Sequence, residues 1–493
     1  MVRMWHVAVG GLVLALGSAQ VALAQPTPDE VGTLGRLGYG HDPYTRGRLK
    51  ALGLAGYVDE QLEPDKISDP FLRDFRADPA FAAWDLSMTE IEDQLRADTL
   101  KPGQVMAQVR NELLWRAIAS RRQIEALLTE FWFNHFNVYA QGSDAGYLLP
   151  YVRDTLRPRV LGKFEDLLLA VARSPSMLVY LNNDENYKDG FVLGGRTRGL
   201  NENYARELME LHTFGCDDQA GVYDQDDVIA LAKCLTGWSH RRGQGYVFVA
   251  AGHDQTRKTF MKLDVPANGG EKDGELAIAH LANHPRTARF ITQKLTYFLA
   301  GPGNGPLASE AMAVFLSTKG DLARVVRKIL TAPALRQSVG NRIKRPSLLV
   351  ASAVRSVGGA LGATSQDRWA ELNELTGACD SMGQVLFGSP PPTGYPDTAT
   401  AFLDEGTTLE RFRVLNRLFA GADPYTWRFD PGNKTGAALV TALCDQVLGK
   451  GAVTPKTRAA LEAYIASNPS NTAEQVERLT LGLVLCSPEF AKH

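Results

Sequence analysis

Leu128-Thr129-Glu130-Phe131-Trp132-Phe133-Asn134-His135-Phe136-Asn137 decides the fold class of this chain. At about 100° per residue, Glu130, Asn134 and Asn137 share one stripe, and nearly every other position is Leu, Phe or Trp. A helix that is apolar over most of its circumference is buried among other elements. Its polar stripe must then face other polar groups inside the protein, because each unsatisfied one costs about 1–3 kcal/mol. His135 falls on a different side, near Phe131 and Leu128.

Helical spacing continues on both sides. Ser87-Met88-Thr89-Glu90 is a capping box that opens a helix toward Arg96. Helices are predicted over 104–120, 124–139, 164–173, 201–214, 226–235, 286–300, 307–318, 321–330, 348–361, 408–418, 436–448, 457–467 and 472–486. Strand signals are few. Tyr246-Val247-Phe248-Val249, set between glycines, predicts a minor β hairpin near residues 246–263, with Thr259–Leu263 as the partner. Residues 182–200, 237–274 and 389–400 are polar, Gly-rich or Pro-rich and read as loops. The expected fold class is mostly α, a multi-helix globular domain. Its parts are a leader (1–24), an N-terminal helical segment (25–100), a helical core carrying the site (101–360) and a C-terminal helical segment (361–493).

Apolar residues are 44% and charged residues 22% of the 493, which excludes a disordered chain. The formal net charge of −2 lacks the basic excess that a nucleic-acid partner demands. Arg3, the apolar run Val7–Leu16 and Ala22-Leu23-Ala24 form a secretory signal pattern. They predict export to the periplasm or beyond, with cleavage after Ala24. No later run is apolar and long enough to span a membrane, so no membrane attachment is expected after cleavage. Five cysteines remain, and an odd number leaves one outside any intrachain pairing. Cys216–Cys234 and Cys444–Cys486 are the expected local pairs.

Two further stretches could carry chemistry. In Asn201-Glu202-Asn203-Tyr204-Ala205-Arg206-Glu207-Leu208-Met209-Glu210-Leu211-His212, Asn201 is an N-cap candidate. Asn203, Arg206, Glu207 and Glu210 share an arc of about 100°, opposite Tyr204, Leu208 and Leu211. Two glutamates three apart can bind a divalent cation through oxygen or work as acid and base. The bland alternative is a solvated face with an Arg206–Glu210 pair worth about 0.3–0.5 kcal/mol. In the loop after the best strand, His253, Asp254 and Lys258 sit close in sequence, with His240 and Arg241-Arg242 nearby. There a catalytic histidine or an anionic ligand competes with an ordinary charged turn. No GxSxG, P-loop, GxGxxG after a strand or HExxH occurs, which lowers the case for α/β-hydrolases, nucleotide-dependent enzymes and zincins.

The stretches Glu130–Phe136, Ser174–Leu181, Asn201–His212, Leu235–Trp238, His253-Asp254 with Lys258, and His284–Arg289 resemble the bacterial "domain of unknown function 1800" family in order and spacing. The likeness runs from about residue 30 to 490. It implies an exported, largely helical protein whose activity is unsettled. It also implies a neighbouring exported sulfatase-like protein as a candidate partner. Two departures stand out: Phe133 occupies a position where the family usually has His, and a Trp expected after Pro390–Pro396 is missing. Phe133 argues against a His-rich metal site.

The expected activity is a hydrolase or lyase on an envelope or extracellular polymer, such as a polysaccharide, since glycan chemistry commonly uses two carboxylates. Glu207 and Glu210 supply acid and base, assisted by His253 and Asp254. Glu130, Asn134, His135, Asn203, Arg206, Trp238 and Lys258 contact or frame a polymeric or anionic substrate. Glu130, Asn203, Arg206 and Glu207 are expected close together. Two alternatives stand beside this: a non-catalytic scaffold for the sulfatase-like partner, and a divalent-metal enzyme using Glu207, Glu210 and a histidine. An open cleft joining Glu207, Glu210 and His253 favours an enzyme; the same residues fully packed favour the scaffold.

Overall fold

The computed structural model describes residues 25–140, 142–216, 222–420 and 429–493. The expected leader, residues 1–24, lies outside the described residues. The aromatic segment forms the helix Gln123–His135, and all of its residues are buried. Helices Pro28–Leu37, Pro43–Gln61 and Pro102–Ala119 pack around it, and Pro346–Ser356 packs on Pro102–Ala119. One hydrophobic cluster runs through the molecule from Leu34 to Phe490. The fold is mostly α. Among the described residues no helix is long and apolar enough to cross a membrane.

Local chemistry explains the helix starts. The capping box at Ser87 is present: the Ser87 hydroxyl accepts from Glu90 N (3.2 Å), and Glu90 accepts from Ser87 N (2.7 Å). Pro285 stands at the first turn of Pro285–Ala300, where its missing N–H costs nothing. Helices Pro43–Gln61 and Ser365–Ser381 fall in segments expected to be helical but without individual bounds, whereas Lys272–Ala282 begins in a Gly-rich stretch expected to be loop. The first bends at Gly53 (φ 67°), which breaks its periodicity. In the last, Gly274 serves close packing, because a Cβ would lie 2.5 Å from Trp238 Cζ2.

The β structure consists of three two-stranded antiparallel hairpins among the described residues. Phe191–Leu193 pairs with Arg196–Arg198, inside a stretch expected to be loop. The hairpin expected at 246–263 is two hairpins. Gly245–Phe248 pairs back onto Trp238–Arg241, and Lys258–Phe260 pairs forward onto Leu263–Val265. Gly243 and Gly245 take the left-handed conformation just ahead of Tyr246, so the tight turn lies before that strand. Pairing across it closes a shorter loop than pairing with residue 259.

Neither expected disulfide forms. Cys234 and Cys444 are fully buried, whereas Cys216 is exposed and Cys486 turns its Sγ to the Phe412 carbonyl (3.7 Å).

Candidate functional site

The helix Asn203–Glu210 is short and sharply two-sided. Tyr204, Ala205, Leu208 and Met209 are buried, while Arg206, Glu207 and Glu210 are half-buried along the outer arc. Asn201 Oδ1 accepts from Asn203 N (3.0 Å) at its start, and Asn203 Nδ2 donates to the Leu181 carbonyl (3.0 Å). Arg206 does not pair with Glu210. Its Nη2 donates to Glu202 (3.2 Å) and to Gln225 (2.9 Å), one turn back and onto the next helix.

Among the described residues no ion pair joins Glu207 or Glu210 to a cation, and the two carboxylates act on each other. Burial pushes the Glu207 carboxyl above its usual range, the neighbouring Glu210 charge adds to that, and Arg206 opposes it. Two tyrosines flank the pair. Tyr180 is raised first by burial and then by Glu207, and Tyr223 is raised to about 12 by burial with help from Glu210. The Tyr180 hydroxyl donates to the Pro390 carbonyl (2.7 Å), which brings the proline-rich loop against this rim.

That loop is held from the other side by the buried polar stripe. Asn134 makes a two-way bond with the Tyr395 backbone (Nδ2 to O 2.9 Å, N to Oδ1 2.8 Å). Asn137 Nδ2 donates to the carbonyls of Ser389 (2.9 Å) and Pro391 (2.8 Å). Gly394 (φ 68°) permits the approach, since a Cβ there would meet Asn134 O at 2.3 Å. Asp397, at the end of the loop, pairs with Lys294 (3.2 Å) and Arg345 (3.5 Å).

Glu130 corrects one expectation. Its carboxylate is buried as predicted, but Arg206 is not its partner. It accepts from the Tyr39 hydroxyl (2.6 Å), the Ser347 hydroxyl (2.9 Å) and Gln384 Nε2 (2.9 Å). The cavities on either side of it measure about 20 Å³ each, enough for a water and too small for a sugar ring. The two helices do meet, through their histidines. His135 Nε2 donates to the His212 carbonyl (3.1 Å), because His135 points away from the Glu130 stripe. Burial drives His212 down to about 3 and His135 well below its ordinary value, and Lys294 lowers both further, so both rings are neutral at neutral pH.

His253, Lys258 and Trp238 form a separate, enclosed cluster. His253 Nδ1 donates to the Thr236 carbonyl (2.7 Å), and Nε2 lies 3.2 Å from Asp273 Oδ2. Lys258 Nζ donates to Asp273 Oδ2 (2.8 Å) and to the carbonyls of Asp254 (2.6 Å) and Thr256 (2.9 Å), using all three ammonium protons. His253, Lys258 and Asp273 are all buried. Asp254, half-buried, is pushed up by burial, but hydrogen bonds from Thr256 outweigh this and hold it low. Trp238 is fully buried against Tyr246 and under the Arg173 guanidinium (5.1 Å). No hydrogen bond or ion pair links this cluster to Glu207 or Glu210 among the described residues. Asp273 is not legible as a partner of His253 and Lys258 in the sequence, because its helix begins in a Gly-rich stretch that reads as loop. Tyr180 lies within the Ser174–Leu181 stretch, where its aromatic side chain was the available signal.

Among the described residues no group of three or more His, Cys, Asp or Glu side chains is arranged to hold a metal ion. The model of the family described as "Protein of unknown function (DUF1800)" matches residues 33–492. No curated protein matches the chain. No solved structure matches it either. The chain belongs to the DUF1800 family.

Proposed function

We propose that this DUF1800 member is an exported hydrolase or lyase acting on an envelope or extracellular polymer, with Glu207 and Glu210 as its acid–base pair. One observation carries the proposal: the Glu207 carboxyl is raised by burial and by its neighbour Glu210, on a half-buried rim between two tyrosines. A carboxyl so placed holds its proton more tightly than a free glutamate does, which is the direction a general acid needs to protonate a leaving oxygen. Glu210 then takes the base role. Tyr180 and Tyr223 offer aromatic surface to a sugar, and the Pro390–Pro396 loop forms one wall. Arg206 tunes Glu207. His253, Asp254, Lys258 and Trp238 act at a distance, by holding the loop that follows Thr236. Glu130, Asn134 and His135 support the proline-rich loop and the end of the glutamate helix.

The test is turnover of a panel of acidic and neutral envelope polysaccharides by wild type, Glu207→Gln and Glu210→Gln. Each substitution lowers turnover by about 10²-fold or more, the scale of a lost general acid or base. Melting temperatures stay close to wild type. A wild type inactive on every polymer, with destabilised variants, overturns the proposal. The scaffold alternative, with the sulfatase-like exported protein as partner, draws on the enclosure of the His253–Asp273–Lys258 cluster. Co-purification of that partner, lost on substitution of the Glu207 face with no change in turnover, favours it.

A further inference from the structure

The last residues of the chain build a cleft far from the glutamates in composition. Residues 342–344 and 491–493 run alongside each other: Lys344 N donates to Ala491 O (2.9 Å) and His493 N to Arg342 O (2.9 Å). Helices Pro28–Leu37, Gly436–Leu448, Pro455–Ala466 and Ala473–Leu485 complete the walls. The space is about 950 Å³, within the range of small-molecule sites, and its lining is largely apolar. Neither Glu207 nor Glu210 lines it.

Lys344 is the anomaly. Its side chain is 6% exposed and lines this cleft. Among the described residues no carboxylate forms an ion pair with it; its ammonium rests 3.5 Å over the Phe490 ring. Burial alone lowers its pKa to about 7. The acid in the lining, Glu489, is engaged by Thr454 N (3.1 Å) and the Thr457 hydroxyl (2.9 Å). Lys456 and Lys492 add positive charge to the same lining. A buried ammonium without a counter-charge is costly, and an anion entering from solvent would remove that cost.

We propose that this cleft binds a free single-chain amphiphile with an anionic head, a long-chain carboxylate. Its chain lies against Val31, Phe412, Leu461, Leu483 and Phe490, and its carboxylate pairs with Lys344. Shape and charge select this occupant together. The apolar walls take a hydrocarbon chain, and the single buried cation takes one negative head. The site is independent of the acid–base pair and stands or falls without it.

Calorimetric titration with monomeric dodecanoate, dodecan-1-ol and dodecylammonium tests the proposal on wild type, Lys344→Met and Ala452→Trp. Wild type binds dodecanoate at least 10-fold more tightly than dodecanol, and dodecylammonium most weakly. Lys344→Met loses at least 10-fold for dodecanoate and keeps its affinity for dodecanol. Ala452→Trp, which fills the cleft, loses both. Lys344→Met melts no lower than wild type, because it removes an unpaired buried charge while keeping the stem. Absence of dodecanoate binding, equal affinity in Lys344→Met, or binding to anionic lipid vesicles without binding of the monomer overturns the proposal.

Discussion

Two charged clusters of this protein are built from similar side chains to opposite ends. Around Asp273, a histidine and a lysine converge with every ammonium proton in use, and the cluster is sealed. Around Glu207, a second carboxylate stands where a cation would have satisfied it, Arg206 is turned toward Glu202 and Gln225, and the rim is half open. A charged group whose protons are all taken up by the fold, as those of Lys258 are, is structural. One left with a like-charged neighbour at the surface holds a displaced proton affinity, which is what acid–base chemistry uses.

The largest expected effect breaks the first cluster. Asp273→Asn leaves Lys258 buried without its carboxylate, and removal of one partner of a buried ion pair costs about 3–5 kcal/mol. Urea unfolding should show a midpoint well below wild type. A shift of under about 1 kcal/mol would mean that the backbone carbonyls alone hold Lys258. Glu207→Gln, by contrast, leaves folding nearly intact.

A smaller effect separates the clusters by pH. The folded-state pKa of Glu207 is raised above its unfolded value, so its stability contribution is full below the unfolded pKa, near 4.5, and is lost as pH rises through the folded pKa. Wild type should lose stability relative to Glu207→Gln as pH rises above about 4.5, the two curves running parallel at lower pH. Curves parallel throughout would show that Glu207 is not perturbed. The smallest effect comes from Arg206→Gln. The Arg206–Glu202 pair is half-buried at the surface and open to solvent screening, so its loss changes stability by less than about 0.5 kcal/mol. Arg206 also lowers Glu207, so its removal should move the upper, acid-dependent limb of a pH–rate profile to higher pH.

Particular residues show how far sequence reading reached into the site. Glu130, Asn134 and Asn137 were legible as an inward polar stripe, because helical period and hydrophobic surroundings are local facts. Their partners were not. Tyr39, Ser347 and Gln384 come from three distant segments, and Arg206 was the plausible donor only because it was the most conspicuous cation in sequence. Asp254 and Lys258 were legible as near neighbours. Asp273 was missed because Gly269, Gly270 and Gly274 read as loop, although Gly274 serves a helix packed under Trp238.

The sequence by itself determined the helical class, the buried aromatic helix, the capped starts at Ser87 and Pro285 and membership of the family. All of these rest on spacing within a few turns or on matched residue order. Tertiary structure alone decided which charges are enclosed and which face outward. It also decided that the two polar helices meet through His135 and His212, and that Lys344 lies in an apolar cleft. Burial and pairing depend on chain segments tens to hundreds of residues apart, and no local period records which of them will arrive.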